Sequence, residues 1–181
     1  LSQRTCRRVP IGHGTRLHRD GGWRRSVVAT DLDPRFTFDT FIVGPANRLA
    51  AAAARRVADT PGTSYNPLFI YSSSGLGKSH ILNGIAHYAA RVHPGYGVVY
   101  VTVESFFNEL TQAVQAGSEG ELRERYEELH MLLLDDVQFF TGQNEAQEML
   151  LRLLDGMNKS GGHVVLASDR PLGEINGLDE R

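Results

Sequence analysis

One cysteine, Cys6, is all the sequence has, so it has no intramolecular disulfide framework and no cysteine-based zinc site. No apolar run approaches the roughly 20 residues needed to span a bilayer. The N-terminus carries no apolar segment of signal-peptide type, which makes the expected location cytoplasmic. The seven histidines are scattered. His80 and His87 fall on one face of a predicted helix, but no further His pair or carboxylate completes a metal set, and they read as ordinary helix residues. Charge of one sign is also missing overall: the net value is −2 over 181 residues. It is unevenly placed. Residues 1–30 hold seven arginines against Asp20, a balance of +6, and the remainder is acidic at −8. The acidic body argues against bulk electrostatic binding of DNA by the core, so any such contact has to be local. The basic head reads as a solvated linker or foreign segment, with nucleic-acid contact as the alternative. The chain starts at Leu1 and stops at Arg181 after a glycine-containing loop, and it reads as a fragment.

The expected organisation is a basic segment over 1–31 and one domain over 32–181. Phe36, Phe38, Phe41, Ile42 and Val43 form an apolar entry cluster. Pro45 suits the first turn of a helix running to about residue 58, stopped by Pro61-Gly62. Leu68-Phe69-Ile70-Tyr71 reads as a strand, led into from Tyr65. Ile81, Leu82, Ile85, Ala86 and Ala89 then follow helical spacing. The run 98–103 reads as a buried strand. Phe106, Phe107, Leu110 and Val114 mark a helix, and Ser118 with Glu121 predicts a capping box for the next one. Met131-Leu132-Leu133-Leu134 is a further buried strand. It is followed by a helix over 145–158 with Leu150, Leu151, Leu154 and Met157 inward, and by a strand over 163–167. Strands alternate with helices throughout, which predicts a parallel sheet covered on both faces, an αβα sandwich.

The richest stretch lies between the first strand and its helix: Ser72-Ser73-Ser74-Gly75-Leu76-Gly77-Lys78-Ser79. It fits a phosphate-binding loop, in which small residues let backbone N–H groups turn toward a polyphosphate and the helix adds its unpaired first-turn N–H groups. In that role Lys78 meets the β/γ-phosphates and Ser79 offers a hydroxyl to Mg²⁺. The usual pattern has glycine where this chain has Ser72, and glycine alone reaches left-handed angles without penalty. Asp135-Asp136 after four apolar residues suits a Mg²⁺-facing carboxylate and a water-orienting one. The alternative is a helix cap. Asp169, one strand later, can face the γ-phosphate, and the pattern is equally compatible with a plain turn before Pro171. All three stretches sit at carboxyl ends of strands, where open α/β sheets bind ligands. Together they predict a nucleoside triphosphate with Mg²⁺.

The segments 36–50, 65–71, 134–140 and 167–171 resemble the DnaA family of bacterial replication initiators, in order and with compatible spacing. The resemblance implies an α/β P-loop fold of the AAA+ class, with the family's C-terminal lid and DNA-binding domain missing from this sequence. It implies that Ile42 and Val43 border the adenine, and that Ser73, Ser74, Gly75, Leu76, Gly77, Lys78, Ser79 and His80 form the nucleotide cradle. Ser79 and Asp135 would hold the metal. Lys78, Asp135, Asp136 (Walker B) and Asp169 (sensor 1) would carry the catalytic roles. Residues between 103 and 128 correspond to the initiator-specific insertion, where Phe107 and Arg123 are the residues to test against single-stranded DNA. Arg181 matches the first arginine of the box that faces a neighbouring protomer. The implied function is an ATP-dependent oligomer that assembles at the origin and assists unwinding, with slow hydrolysis as its off-switch. The runner-up is an AAA+ helicase loader or initiator-regulating paralogue, and Ser72 raises a non-binding remnant as a third reading. The implied partners are further copies of the chain, origin DNA, the replicative helicase machinery and acidic phospholipids. Duplex DNA would be read by a domain this sequence does not include. The family's arginine finger would lie beyond Arg181, so ATP hydrolysis by this fragment is expected to be very weak.

Overall fold

A computed structural model describes residues 32–140 and 144–175. The segment 1–31 and Arg181 lie outside the described residues. The elements in chain order are α1 (Arg48–Asp59), β1 (Leu68–Tyr71), α2 (Lys78–Val92), β2 (Val98–Thr102), α3 (Val103–Ala116), α4 (Glu119–Glu127), β3 (Met131–Asp135), α5 (Asn144–Ser160) and β4 (His163–Ser168). Short 3₁₀ turns follow β3 (Val137–Phe140) and β4 (Leu172–Glu174). The four strands pair in the order β1-β4-β3-β2, all parallel.

The solid apolar runs follow from burial on both faces. Along β3, Leu132 and Leu134 join a cluster with α3, α4 and α5, whereas Met131 and Leu133 join one with α1 and α2. Because side chains alternate along a strand, one run of four apolar residues serves both layers. The result is the expected three-layer sandwich.

Local chemistry moves several boundaries. α1 starts at Arg48 rather than near Pro45 because Asn47 is spent on the preceding loop. It accepts from Gly44 N at 2.7 Å and donates to Ile42 O at 3.0 Å. β1 spans Leu68–Tyr71, as expected. Ahead of it the Asn66 side chain performs the pairing a strand backbone would make, donating to Gly162 O at 2.8 Å and accepting from Val164 N at 3.0 Å. The Ser118 capping box does not form. Gly117 is left-handed at φ 66° and Ser118 N donates to Ala113 O at 2.8 Å, so this residue closes α3 instead. On α5 the fully buried stripe is Leu150, Leu153 and Met157, and Leu154 only packs against its side.

The amino-terminal edge of the sheet carries a buried histidine. His163 Nδ1 accepts from Gly62 N at 2.9 Å, tying the loop after α1 to β4. Burial pushes its imidazole below the ordinary 6.5, against a smaller opposing contact with the Tyr65 backbone. A depressed folded-state value means that the neutral ring favours the fold, a contribution fully present above about pH 6.5 and lost as pH falls through the folded value. Thermal midpoints should therefore decline below that pH. His163→Gln, which cannot titrate, should flatten the decline.

Candidate nucleotide site

β1 runs into the loop through one more sheet-like bond, Ser72 N donating to Ser168 O at 3.2 Å. Gly75 and Gly77 then take φ of 80° and 89°, left-handed values that glycine adopts without penalty. A Cβ on Gly75 would meet nothing, so its requirement is conformational. A Cβ on Gly77 would stand 2.9 Å from Phe41 Cε2, so there the demand is steric as well. Ser72 lies outside the left-handed region, because among the described residues only Tyr65 and Asp136 are non-glycines with positive φ. The serine in place of the pattern's first glycine therefore adds no backbone strain of that kind.

Lys78 opens α2 and is buried, with Nζ donating to Ser72 O at 2.8 Å and to Ser73 O at 3.2 Å. These bonds span the loop and hold its concave shape. At the end of β3, Asp135 is 1% exposed. Its Oδ2 accepts from the Tyr100 hydroxyl at 3.0 Å and its Oδ1 from Asp136 N at 2.9 Å, and the Ser79 hydroxyl lies beside it. Burial raises the Asp135 carboxyl above its usual value. The Ser79 and Tyr100 hydroxyls pull the other way, and the charge of Asp136 adds to the rise. Asp136 is left-handed at φ 60°, and its Oδ1 accepts from Gln138 Nε2 at 2.9 Å. Gln138 reaches across to the next strand end, where its Oε1 accepts from Asp169 N at 3.1 Å. The Asp169 carboxylate is held below its usual value, first by its hydrogen bonds with Arg170 at 2.7 and 3.1 Å, with the Lys78 charge contributing.

The sheet thus brings Lys78, Ser79, Asp135, Asp136 and Asp169 to one edge. Tyr71 is in register with Ser168, and Thr102 with Asp135. The entry segment lies against this edge. His80 stacks on Phe36 at 4.8 Å between centroids and meets Phe41 edge-on at 5.1 Å. Its Nε2 lies 2.8 Å from Thr37 O. His80 therefore anchors the entry segment to α2. Phe41 over Gly77 sets Ile42 (86% exposed) and Val43 (58% exposed) beside the loop as open apolar surface. Phe107 and Arg123 are not at this edge. They sit on α3 and α4, which pack on the sheet face opposite α2. Phe107 is partly buried, edge-on to Phe140 at 5.0 Å, and Arg123 is half-exposed with Glu127 at 3.5 Å.

Two site residues escaped the sequence reading. Tyr100 was absorbed in an apolar strand run, although a phenol inside a buried strand needs a partner for its hydroxyl, and that was the available signal. Gln138 sits among Val137, Phe139 and Phe140, where an isolated polar residue is the same kind of signal.

A phosphate loop after the first strand and acids after the next two strand ends, on a parallel sheet of this order, define a P-loop fold of the AAA+ class. The family model of the bacterial DnaA ATPase domain matches residues 32–181, and the chain belongs to that family. The chain is 41% identical over 156 residues to the chromosomal replication initiator protein DnaA of Caldanaerobacter subterraneus subsp. tengcongensis, covering 86% of this chain and 35% of that protein. Domain III of the Thermotoga maritima replication initiation protein DnaA is similar in structure with a TM-score of 0.80 and 40% identity, over 83% of this chain and 63% of that one. A replication initiator DnaA bound to AMPPCP and single-stranded DNA gives a TM-score of 0.79 at 33% identity, over 83% of this chain and 46% of that one. The chain spans about a third of the length of the curated relatives it matches. Among the described residues no helix is long and apolar enough to cross a membrane.

Proposed function

We propose that this chain is the ATP-binding core of a replication initiator whose assembly on DNA depends on which nucleotide it holds. The observation that carries the reading is the single edge where the Lys78 loop, the Ser79–Asp135 pair and the Asp136–Gln138–Asp169 link converge. In this reading Lys78 exchanges the Ser72 and Ser73 carbonyls for β/γ-phosphate oxygens. A hydroxyl beside a buried carboxylate is a hard oxygen pair that fits Mg²⁺, which takes one or two protein oxygens and leaves the rest to phosphate and water. Ser79 and Asp135 would hold that ion, which when bound neutralises phosphate charge. Asp136 accepts a proton from, and orients, the water that faces the γ-phosphate. Asp169 faces the same phosphate from the β4 end, its own charge balanced by Arg170. Ile42 and Val43 offer the apolar surface a base needs. Hydrolysis is slow, because the charge-stabilising arginine comes from a neighbouring protomer, and Arg181 belongs to that intersubunit contact.

The DNA side of the proposal is supported by the relative bound to AMPPCP and single-stranded DNA. The α3–α4 pair would provide the contact, with Arg123 released from Glu127 to meet a phosphate. Sedimentation with a labelled single-stranded oligonucleotide tests this. Binding and self-association should appear with AMPPCP and fail with ADP. Arg123→Ala should weaken the DNA complex and lower the slope of log K against log salt by about 0.7, the value for one contact on a single strand. Equal binding with ADP would overturn the nucleotide dependence, and an unchanged salt slope would return Arg123 to a surface ion pair.

A further inference from the structure

Gln138 is buried and spans two strand ends. Its Nε2 donates to Asp136 Oδ1 at 2.9 Å, and its Oε1 accepts from Asp169 N at 3.1 Å. The residue it holds on the β3 side is unusual, since Asp136 is a non-glycine at φ 60°. L residues reach that region at a cost, and they stay there only when surrounding contacts fix them. Asp136 N bonded to Asp135 Oδ1 at 2.9 Å and Phe139 N bonded to Asp136 O at 3.1 Å hold its backbone, and the Gln138 amide holds its carboxylate. Opposite amide ends are used on the two acids: a donor on a carboxylate, an acceptor on a backbone N–H. A glutamine is long enough for both, and its two ends cannot be exchanged without losing both bonds.

We infer that Gln138 is a positioning residue that couples Asp136 to Asp169, so that the third phosphate of the nucleotide is met by both strand ends as one unit. The inference rests on the proposed nucleotide site. A freed Asp136 carboxylate swings on a strained backbone toward a polyanion, which repels it. With the amide in place, one carboxylate oxygen is hydrogen-bonded and its position set. ADP presents no γ-phosphate to these acids, so it is indifferent to the link.

The test is calorimetric titration of the full 181-residue chain and two variants with ADP and with AMPPCP. Gln138→Ala removes both bonds. Gln138→Glu keeps the length and the acceptor for Asp169 N but sets a carboxylate against Asp136. We expect both variants to bind ADP as the unmodified chain does and AMPPCP about tenfold more weakly, the scale of one lost hydrogen bond to a charged group. Gln138→Glu should be at least as impaired as Gln138→Ala. A residue that merely fills space would leave the isosteric Gln138→Glu near normal, and that result overturns the coupling. So does a parallel loss of ADP and AMPPCP affinity, which marks damage to the fold. Failure of the unmodified chain to bind either nucleotide overturns the nucleotide site itself, and the coupling falls with it.

Discussion

Lys78→Ala should abolish measurable nucleotide binding, with affinity for ATP and ADP reduced at least about 100-fold, the scale of two charge-assisted hydrogen bonds. The ammonium is already inside the protein, and the carbonyls of Ser72 and Ser73 hold it there at 2.8 and 3.2 Å. Much of its desolvation has thus been met before any ligand arrives. A phosphate oxygen replaces a neutral acceptor with a charged one at nearly the same place, so the exchange is favourable and local. Alanine removes the charge and also leaves the two carbonyls without this donor, so the loop loses its brace. Lys78→Arg should recover little, because a planar fork does not fit a point donor cradled by two adjacent carbonyls. Titration with a fluorescent ATP analogue checks this. Affinity unchanged in Lys78→Ala would remove this loop from the binding site.

The second large effect concerns the other face of the sheet. Phe106→Ala should cost about 3–5 kcal/mol of folding stability, the usual range for emptying an aromatic site in a core. Phe106 has no exposed surface. Its ring meets Tyr126 of α4 edge-on at 5.5 Å and Phe140 of the turn after β3 at 6.3 Å. It therefore joins α3 to α4 and both to the segment that begins with Asp136 and Gln138. Typical domains have only about 5–15 kcal/mol in reserve, so the loss is a large share of the whole. Denaturant unfolding should show it as a lower midpoint with unchanged slope, and Phe106→Leu should restore most of it. A cost below about 1 kcal/mol would mean the site collapses without a cavity.

The layers and the parallel sheet were within reach of the sequence because each strand is a short unbroken apolar run. The helices between them carry helical spacing, and parallel sheets leave few alternatives. The chemistry-bearing ends were readable for a similar reason: Gly-Lys-Ser, Asp-Asp and Ser-Asp each follow such a run directly. What stayed hidden depends on partners distant in sequence. Tyr100 matters because Asp135 lies opposite its hydroxyl, and Gln138 because Asp169 ends the neighbouring strand. Neither pairing leaves a local pattern. Asn66 does with a side chain, just ahead of β1, what strands do with backbone, and no local pattern announces it. Ser118 was drawn away from its expected cap by the tight end of α3. Ser72 shows the converse limit. A consensus glycine suggests a left-handed angle, but the residue that stands here does not have one.

The entry segment has a consequence for how this chain can vary. Phe41 lies over Gly77, and Phe38 lies over Gly84, where a Cβ would come within 3.1 Å of its ring. Asn83 and His87 of the same helix hold the backbone of Asp33 at 2.9 and 3.0 Å. α2 therefore offers two notches seven residues apart, and an aromatic ring is seated in each. Gly84 lies outside the phosphate loop in sequence, yet Phe38 fills the space a Cβ would need there much as Phe41 does at Gly77. Substitutions that are silent elsewhere on α2 would there lift the segment leading to Ile42 and Val43. The apolar surface at Ile42 and Val43 and the glycine loop ahead of α2 are thus inherited together, as one keyed part.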